Sequence, residues 1–123
     1  MTSVSRILIV DDEPNIVMSL EYAFQKKGHE VFIARDGVEA LEIIENNDID
    51  TMVLDIMMPE VDGYETIKRV KSTPDLSDMK IVFLSAKNKK EDIEQGLSLG
   101  ADQYFTKPFS VKKLITAVEE LLA

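Results

Sequence analysis

Asp55 closes a short apolar run, Met52-Val53-Leu54, and Pro59 and the pair Asp62-Gly63 turn the chain soon afterwards. That pattern puts the carboxylate at the carboxyl end of a buried strand, the edge at which open α/β sheets bind ligands. Alone, such an aspartate reads more readily as a turn or cap residue. Its companions supply the chemistry: Asp11-Asp12-Glu13 follow another apolar run, Ser85 follows a third and Lys107-Pro108 a fourth. Asp11, Asp12 and Asp55 gathered in one pocket would repel one another, and one would be pushed toward protonation unless a cation joined them. A hard divalent cation resolves this. Magnesium suits the set better than a transition metal, because it takes oxygen ligands, keeps several waters and rests on one or two carboxylates plus phosphate. The plainer reading of Asp11 and Asp12 is a cap with favourable charge at the next helix's N-terminus, and the two roles can coexist.

Strand-like apolar runs alternate with amphipathic helical segments to position these residues. Residues 6–10 form a continuous apolar run suited to a strand buried on both faces. Residues 14–27 carry Ile16, Leu20, Ala23 and Phe24 at helical spacing, with Pro14 in the first turn and Gly28 as the left-handed stop. Residues 30–34 make a second strand, and Val38, Leu41, Ile43 and Ile44 stripe a second helix after Asp36-Gly37; that period outweighs the hairpin reading of Asp-Gly. Residues 51–54 are the third strand and 64–71 the third helix, with Ile67 and Val70 on its apolar face and Ser72-Thr73-Pro74 ending it. After a loop over 74–79 come a fourth strand, 80–84, and a fourth helix, 90–99. That helix turns Ile93 and Leu97 inward, stops at Gly100 and is weakened by Gly96. A fifth strand over 102–105 precedes the Lys107-Pro108 break and a last helix capped by Ser110 and striped by Leu114, Ile115, Val118, Leu121 and Leu122.

Strict alternation with short loops implies a parallel sheet with helices on both faces, a three-layer α/β/α sandwich of five strands and five helices. Every strand's carboxyl end then shares one edge, which gathers Asp11, Asp12, Asp55, Ser85 and Lys107. At 123 residues the chain reads as one domain, 1–123, able to bury about two-thirds of its unfolded surface. Its 45% hydrophobic and 30% charged residues fit an ordinary globular core, and the lack of cysteine removes disulfides, thiolate metal sites and cysteine nucleophiles. The net charge of -9 repels phosphate backbones and anionic lipid, so direct nucleic-acid or membrane binding is not expected. The apolar run ending at Val10 is too short for a signal peptide or a membrane span, so residues 1–5 read as the start of a cytoplasmic protein.

Val10-Asp11-Asp12-Glu13, Asp55-Ile56-Met57-Met58-Pro59 with Asp62-Gly63, Ser85-Ala86 and Lys107-Pro108-Phe109, in this order and each after its strand, resemble the receiver domain of two-component response regulators. The resemblance covers essentially the whole chain. It implies a flavodoxin-like, doubly wound sheet of order 2-1-3-4-5. It also implies that Asp55 is the phosphoacceptor, attacking phosphorus in line to form an acyl phosphate. Asp12 and Asp55 would ligate Mg2+ directly, Met57 through its backbone carbonyl and Asp11 through water. Lys107 would pair with Asp55 before transfer and with the phosphoryl group after it, across a cis Lys107-Pro108 bond, where the sequence alone supports only a tight turn. Ser85 would donate its hydroxyl to a phosphoryl oxygen; its plainer role is a loop cap.

Tyr104, three residues before Lys107, stands where the family carries an aromatic that swings between outward and inward rotamers, and a half-buried strand tyrosine is an equally good reading. The lone His29 is expected on the surface, with no second histidine to share a metal, and the Met57-Met58 pair as flexible filler at the sheet edge. A phosphohydrolase of the haloacid dehalogenase type would need a second aspartate where Met57 stands, and an FMN binder would not tolerate Asp11-Asp12-Glu13 in its phosphate loop. A receiver-like module that is never phosphorylated leaves the intact acidic cluster, Ser85 and Lys107 without a use.

The implied protein is a signalling module rather than an enzyme, one that catalyses its own phosphotransfer and slow dephosphorylation. Its partner is a sensor histidine kinase or phosphotransfer protein. The face made by the fourth helix, fifth strand and fifth helix would switch to control an output domain or target, or to form a phosphorylation-dependent homodimer. Winged-helix regulators usually carry an acid where Gln103 stands and an arginine where Ala117 stands, so their ion-paired dimer is in doubt here. A free-standing receiver and a piece of a longer regulator are both open.

Overall fold

Alternation along the strands sends two apolar sets to opposite faces of the sheet. In the computed structural model, which describes residues 5–57, 63–76 and 78–123, β1 (Arg6–Val10) turns Leu8 and Val10 one way and Ile7 and Ile9 the other. Met52 and Leu54 of β3 (Thr51–Asp55), and Ile81 and Phe83 of β4 (Lys80–Ser85), join Leu8 and Val10. Ala40 and Ile44 of α2 (Gly37–Asn46) and Ile67 and Val70 of α3 (Gly63–Lys71) cover that layer. Val53, Val82 and Leu84 join Ile7 and Ile9 on the opposite face, under Leu20 and Phe24 of α1 (Pro14–Lys26) and Leu114 and Val118 of α5 (Val111–Leu122). Burial on both faces is why the strands read as unbroken apolar runs.

With β2 (Glu30–Ala34) and β5 (Gln103–Thr106) the strands form one parallel sheet of order β2-β1-β3-β4-β5, the order implied by the resemblance. The chain moves outward from β1 to β2 and then returns past β1 to β3. The crevice between the carboxyl ends of β1 and β3 is therefore the switch point where such sheets bind ligands. Val10 pairs in register with Leu54, so the residues that follow them, Asp11 and Asp55, emerge side by side.

The helix signals act as read. Pro14 opens α1, Asp36 accepts the Glu39 amide at 2.9 Å and Ser110 the Lys113 amide at 3.2 Å. Gly28 and Gly100 take φ of +90° and +110° at the ends of α1 and α4 (Lys90–Ser98). Element ends shift by a residue or so; β3 and β4 run on to include Asp55 and Ser85, and a 3-10 turn, Pro74–Leu76, occupies part of the expected loop. The expected turn residues Pro59 and Asp62, and Met58 of the expected filler pair, lie outside the described residues.

Four residues are placed differently from expectation. His29 is buried at 6% exposure, because its Nδ1 accepts the Ser5 amide at 3.3 Å, its Nε2 lies 3.3 Å from Glu119 and its ring meets Phe24 edge-on. Leu97 is exposed rather than inward, since the buried contact of α4 is made by Gly96. Met57, expected as filler, is also exposed, as is Val38 of the expected stripe on α2. Among the described residues no helix is long and apolar enough to cross a membrane.

Candidate functional site

The crevice holds the expected acidic cluster. One carboxylate oxygen from each of Asp11, Asp12 and Asp55 lies within 4.8 Å of the other two. Asp11 and Asp55 are buried and Asp12 is exposed, so the cluster opens to solvent on one side. Asp11 Oδ1 accepts the Glu13 amide at 2.9 Å and Asp55 Oδ1 the Met57 amide at 3.1 Å. Those bonds orient both carboxylates and leave the second oxygen of each facing the crevice. No side chain caps α1, whose N-cap is Glu13, so the capping role considered for Asp11 and Asp12 is not the one they play. Asp11 Oδ2 is buried without a hydrogen bond, approached only by the Lys107 ammonium at 3.1 Å. A buried carboxylate oxygen with no hydrogen bond, in a set of oxygen donors, fits a hard divalent cation.

Lys107 reaches in from the opposite wall after β5, across a cis bond to Pro108. Its Nζ lies 2.7 Å from Glu13 Oε1, 3.1 Å from Asp11 Oδ2 and 3.4 Å from Asp55 Oδ2. Burial pulls the ammonium's pKa down, but the close contacts with Glu13 and Asp11 and the charges of Asp55 and Asp11 hold it above the ordinary lysine range. Asp55 moves the other way. Burial first, then the neighbouring Asp11 charge, raise its pKa from 3.8 to about 6, against the opposing pull of Lys107 and the Met57 amide. A cation brought to this cluster would reverse the balance.

Backbone bonds link these groups to the outer sheet edge. The Lys107 amide donates to the Ser85 carbonyl at 2.8 Å, and the Ser85 hydroxyl, fully buried, accepts the Lys87 amide at 3.0 Å. The Lys87 carbonyl in turn accepts the Tyr104 hydroxyl at 2.9 Å. Tyr104 lies edge-on to Phe83, which lies edge-on to Tyr64, and the Lys87 ammonium sits 5.6 Å from the Tyr64 ring centroid. Burial raises the Tyr104 pKa; the Ser85 hydroxyl opposes the rise, and Asp92 and Asp55 add to it. Gly63 lets α3 start against the end of β3, where a Cβ would fall 2.6 Å from Ile56 Cα.

The structure thus brings Asp11, Asp12, Asp55 and Lys107 together at one point and reaches Ser85 and Tyr104 through a chain of bonds. Sequence reading gave no role to Glu13, the closest partner of Lys107. Its place beside Asp12 in an acidic run was the available signal, read there only as repulsion toward phosphate.

A doubly wound parallel sheet with carboxylates at its switch point and a lysine facing them from the end of β5 has the ligand-binding arrangement of open α/β domains. Residues 7–119 match the model of the response regulator receiver domain, and the chain belongs to that family. The response regulator SaeR of Staphylococcus aureus (strain USA300) is 42% identical over 118 residues, which cover 96% of this chain and 50% of that protein. The chain therefore spans about half the length of the curated relatives it matches. The structure of the Francisella response regulator 1452 receiver domain superposes with a TM-score of 0.89 at 35% identity, covering 95% of each chain. That of the Vibrio cholerae chemotaxis protein CheY4 does so with a TM-score of 0.89 at 28% identity, covering 97% of this chain and 99% of that one. The protein is a receiver domain of a two-component response regulator.

Proposed function

We propose that residues 1–123 form one phosphoacceptor domain that takes a phosphoryl group from the phosphohistidine of a histidine kinase or phosphotransfer protein onto Asp55. The observation that carries this reading is Asp55 itself, buried at the switch point, with one oxygen held by the Met57 amide and the other 3.4 Å from Lys107. In the reaction an Asp55 oxygen bonds to phosphorus as the phosphorus–nitrogen bond to the donor imidazole breaks, and the imidazole nitrogen keeps the electron pair. Asp12 and Asp55 would hold Mg2+ directly, with Met57 through its backbone carbonyl and Asp11 through water. Bound there, the ion neutralises charge on the carboxylates and on the phosphoryl oxygens. Lys107 supplies a second positive charge to the transferred group, and Ser85 a hydroxyl donor.

The phosphoryl state would alter the α4–β5–α5 face and through it a partner: an output domain, a separate target or a second copy of the chain. The net charge of -9 argues against direct nucleic-acid or membrane contact by this domain, and its lack of cysteine fits the cytoplasm. It is a signalling module whose only chemistry is its own phosphorylation and slow dephosphorylation.

Incubation with Mg2+ and acetyl phosphate tests the acceptor. One acid- and hydroxylamine-labile phosphoryl group is expected, lost in Asp55→Asn and suppressed by chelator or by Asp12→Ala. Phosphate stable on a serine or threonine, or labelling that survives the chelator, would defeat the proposal.

A further inference from the structure

The shortest contact of Lys107 is made to Glu13 rather than to either buried aspartate: 2.7 Å, against 3.1 Å to Asp11 and 3.4 Å to Asp55. The three partners differ in how firmly they are held. Asp11 and Asp55 are buried at 0% and 4% exposure and are each fixed by a backbone amide through the other oxygen. The Glu13 side chain is 56% exposed, and its only hydrogen bond among the described residues is the one from Lys107. An ammonium has three donors, and here three carboxylates already crowd it within 3.4 Å. A phosphoryl group on Asp55 adds charge and acceptor oxygens at the buried end, so one existing partner must give way. Glu13 alone can be released into water without leaving a buried charge unpaired, which would be costly.

Resting on the phosphoacceptor reading, the geometry points to Glu13 as a positioning residue: it holds Lys107 while Asp55 is unmodified, and the ammonium leaves it for the phosphoryl oxygens. Glu13 therefore opposes the phosphorylated state. It stabilises the resting site through a contact that the modified site gives up, and its charge repels the incoming anion. Removing that charge shifts the balance toward the phosphorylated arrangement. The contact is a half-exposed ion pair, which sets the shift at about two- to fivefold.

The test compares beryllofluoride binding to the full chain and to Glu13→Gln at saturating Mg2+, with Mg2+ affinity measured separately on each. Glu13→Gln should bind beryllofluoride about two- to fivefold more tightly. In the unsubstituted protein, the Glu13 carboxyl carbon resonance should move toward that of solvated glutamates on beryllofluoride addition. Equal or weaker binding by Glu13→Gln, or a Glu13 resonance that stays in place while beryllofluoride binds, would overturn the inference and leave the phosphoacceptor reading standing. Failure of the unsubstituted protein to bind beryllofluoride or accept phosphate would overturn both.

Discussion

Gly96 of α4 lies directly against the ring of Tyr104, so that a Cβ on Gly96 would fall 2.9 Å from Tyr104 Cδ2 and 3.0 Å from both Tyr104 Cε2 and Phe83 Cδ2. A glycine inside a helix costs about 1 kcal/mol relative to alanine. Here its absent side chain is the seat of the ring whose hydroxyl bonds the Lys87 carbonyl.

Gly96→Ala should therefore destabilise the protein despite its gain in helix propensity, since overpacking costs about 1–3 kcal/mol. In a Tyr104→Ala background two of the three close contacts disappear, and the same substitution should be near neutral or stabilising. Chemical denaturation of the four proteins measures the coupling, expected at about 1 kcal/mol or more for residues in contact. Additive effects would show that the glycine does not serve the tyrosine.

Asp55 gives a stability that depends on pH in the metal-free protein. Its pKa rises from 3.8 to about 6 on folding, because burial and Asp11 disfavour the charged form. Below pH 3.8 the group is protonated in both states and costs nothing. As pH rises toward 6 the unfolded chain releases its proton first, so folding loses stability, and above about 6 the loss is complete at about 3 kcal/mol. Asp55→Asn should thus stabilise the chelated protein at pH 8 and have little effect below pH 4. Mg2+ should stabilise the unsubstituted protein at pH 8 more than the variant. A variant equally or less stable at pH 8 would refute the burial of charge described here.

How much of this was readable in the sequence varied with the physics. Strands buried on both faces announce themselves as apolar runs, and Pro14, Gly28, Gly100 and Ser110 mark helix ends through local geometry, so the architecture followed from short stretches. The burial of His29 depends on Ser5 and on Glu119, which is 90 residues away, and no local pattern encodes that contact. The inward face of α4 was misassigned because an apolar stripe counts Leu97 and not Gly96, although the close packing is at the residue with no side chain. Glu13 was missed for a similar reason: its partner arrives from the far end of the chain.

Met57 bears on how long a phosphoryl group would last. Its side chain is exposed at the mouth of the site and offers neither donor nor useful acceptor to a water in line with phosphorus. The nearby Lys87 can donate but not accept. A long-lived phosphoryl state is expected, and Met57→Asn should shorten it by supplying a carbonyl and an amide. Decay of the labelled protein measures this, and slower decay in the variant would contradict the argument.

The chain of bonds from Lys107 to Tyr104 would give the proposed switch a mechanical route. The Lys107 amide holds the Ser85 carbonyl, the Ser85 hydroxyl holds the Lys87 amide, and the Lys87 carbonyl holds the Tyr104 hydroxyl. A phosphoryl group on Asp55 should draw in the Ser85 hydroxyl and the Lys107 ammonium through charge-assisted bonds of about 1.5–3 kcal/mol each. Together they contribute about 3–6 kcal/mol, against about 5.5 kcal/mol needed to move a two-state equilibrium from 1:99 to 99:1. Movement of Ser85 must carry the Lys87 peptide with it, because the bond between them is local and short. That movement changes the acceptor of Tyr104, whose ring packs between Phe83 and Gly96, so α4 must adjust. Beryllofluoride with Mg2+ should therefore change amide exchange or NMR shifts over residues 87–99 and at Tyr104, and Ser85→Ala should weaken the changes at Tyr104 while those beside Asp55 persist. Changes confined to the surroundings of Asp55 in the unsubstituted protein would show that the signal does not leave the site by this route.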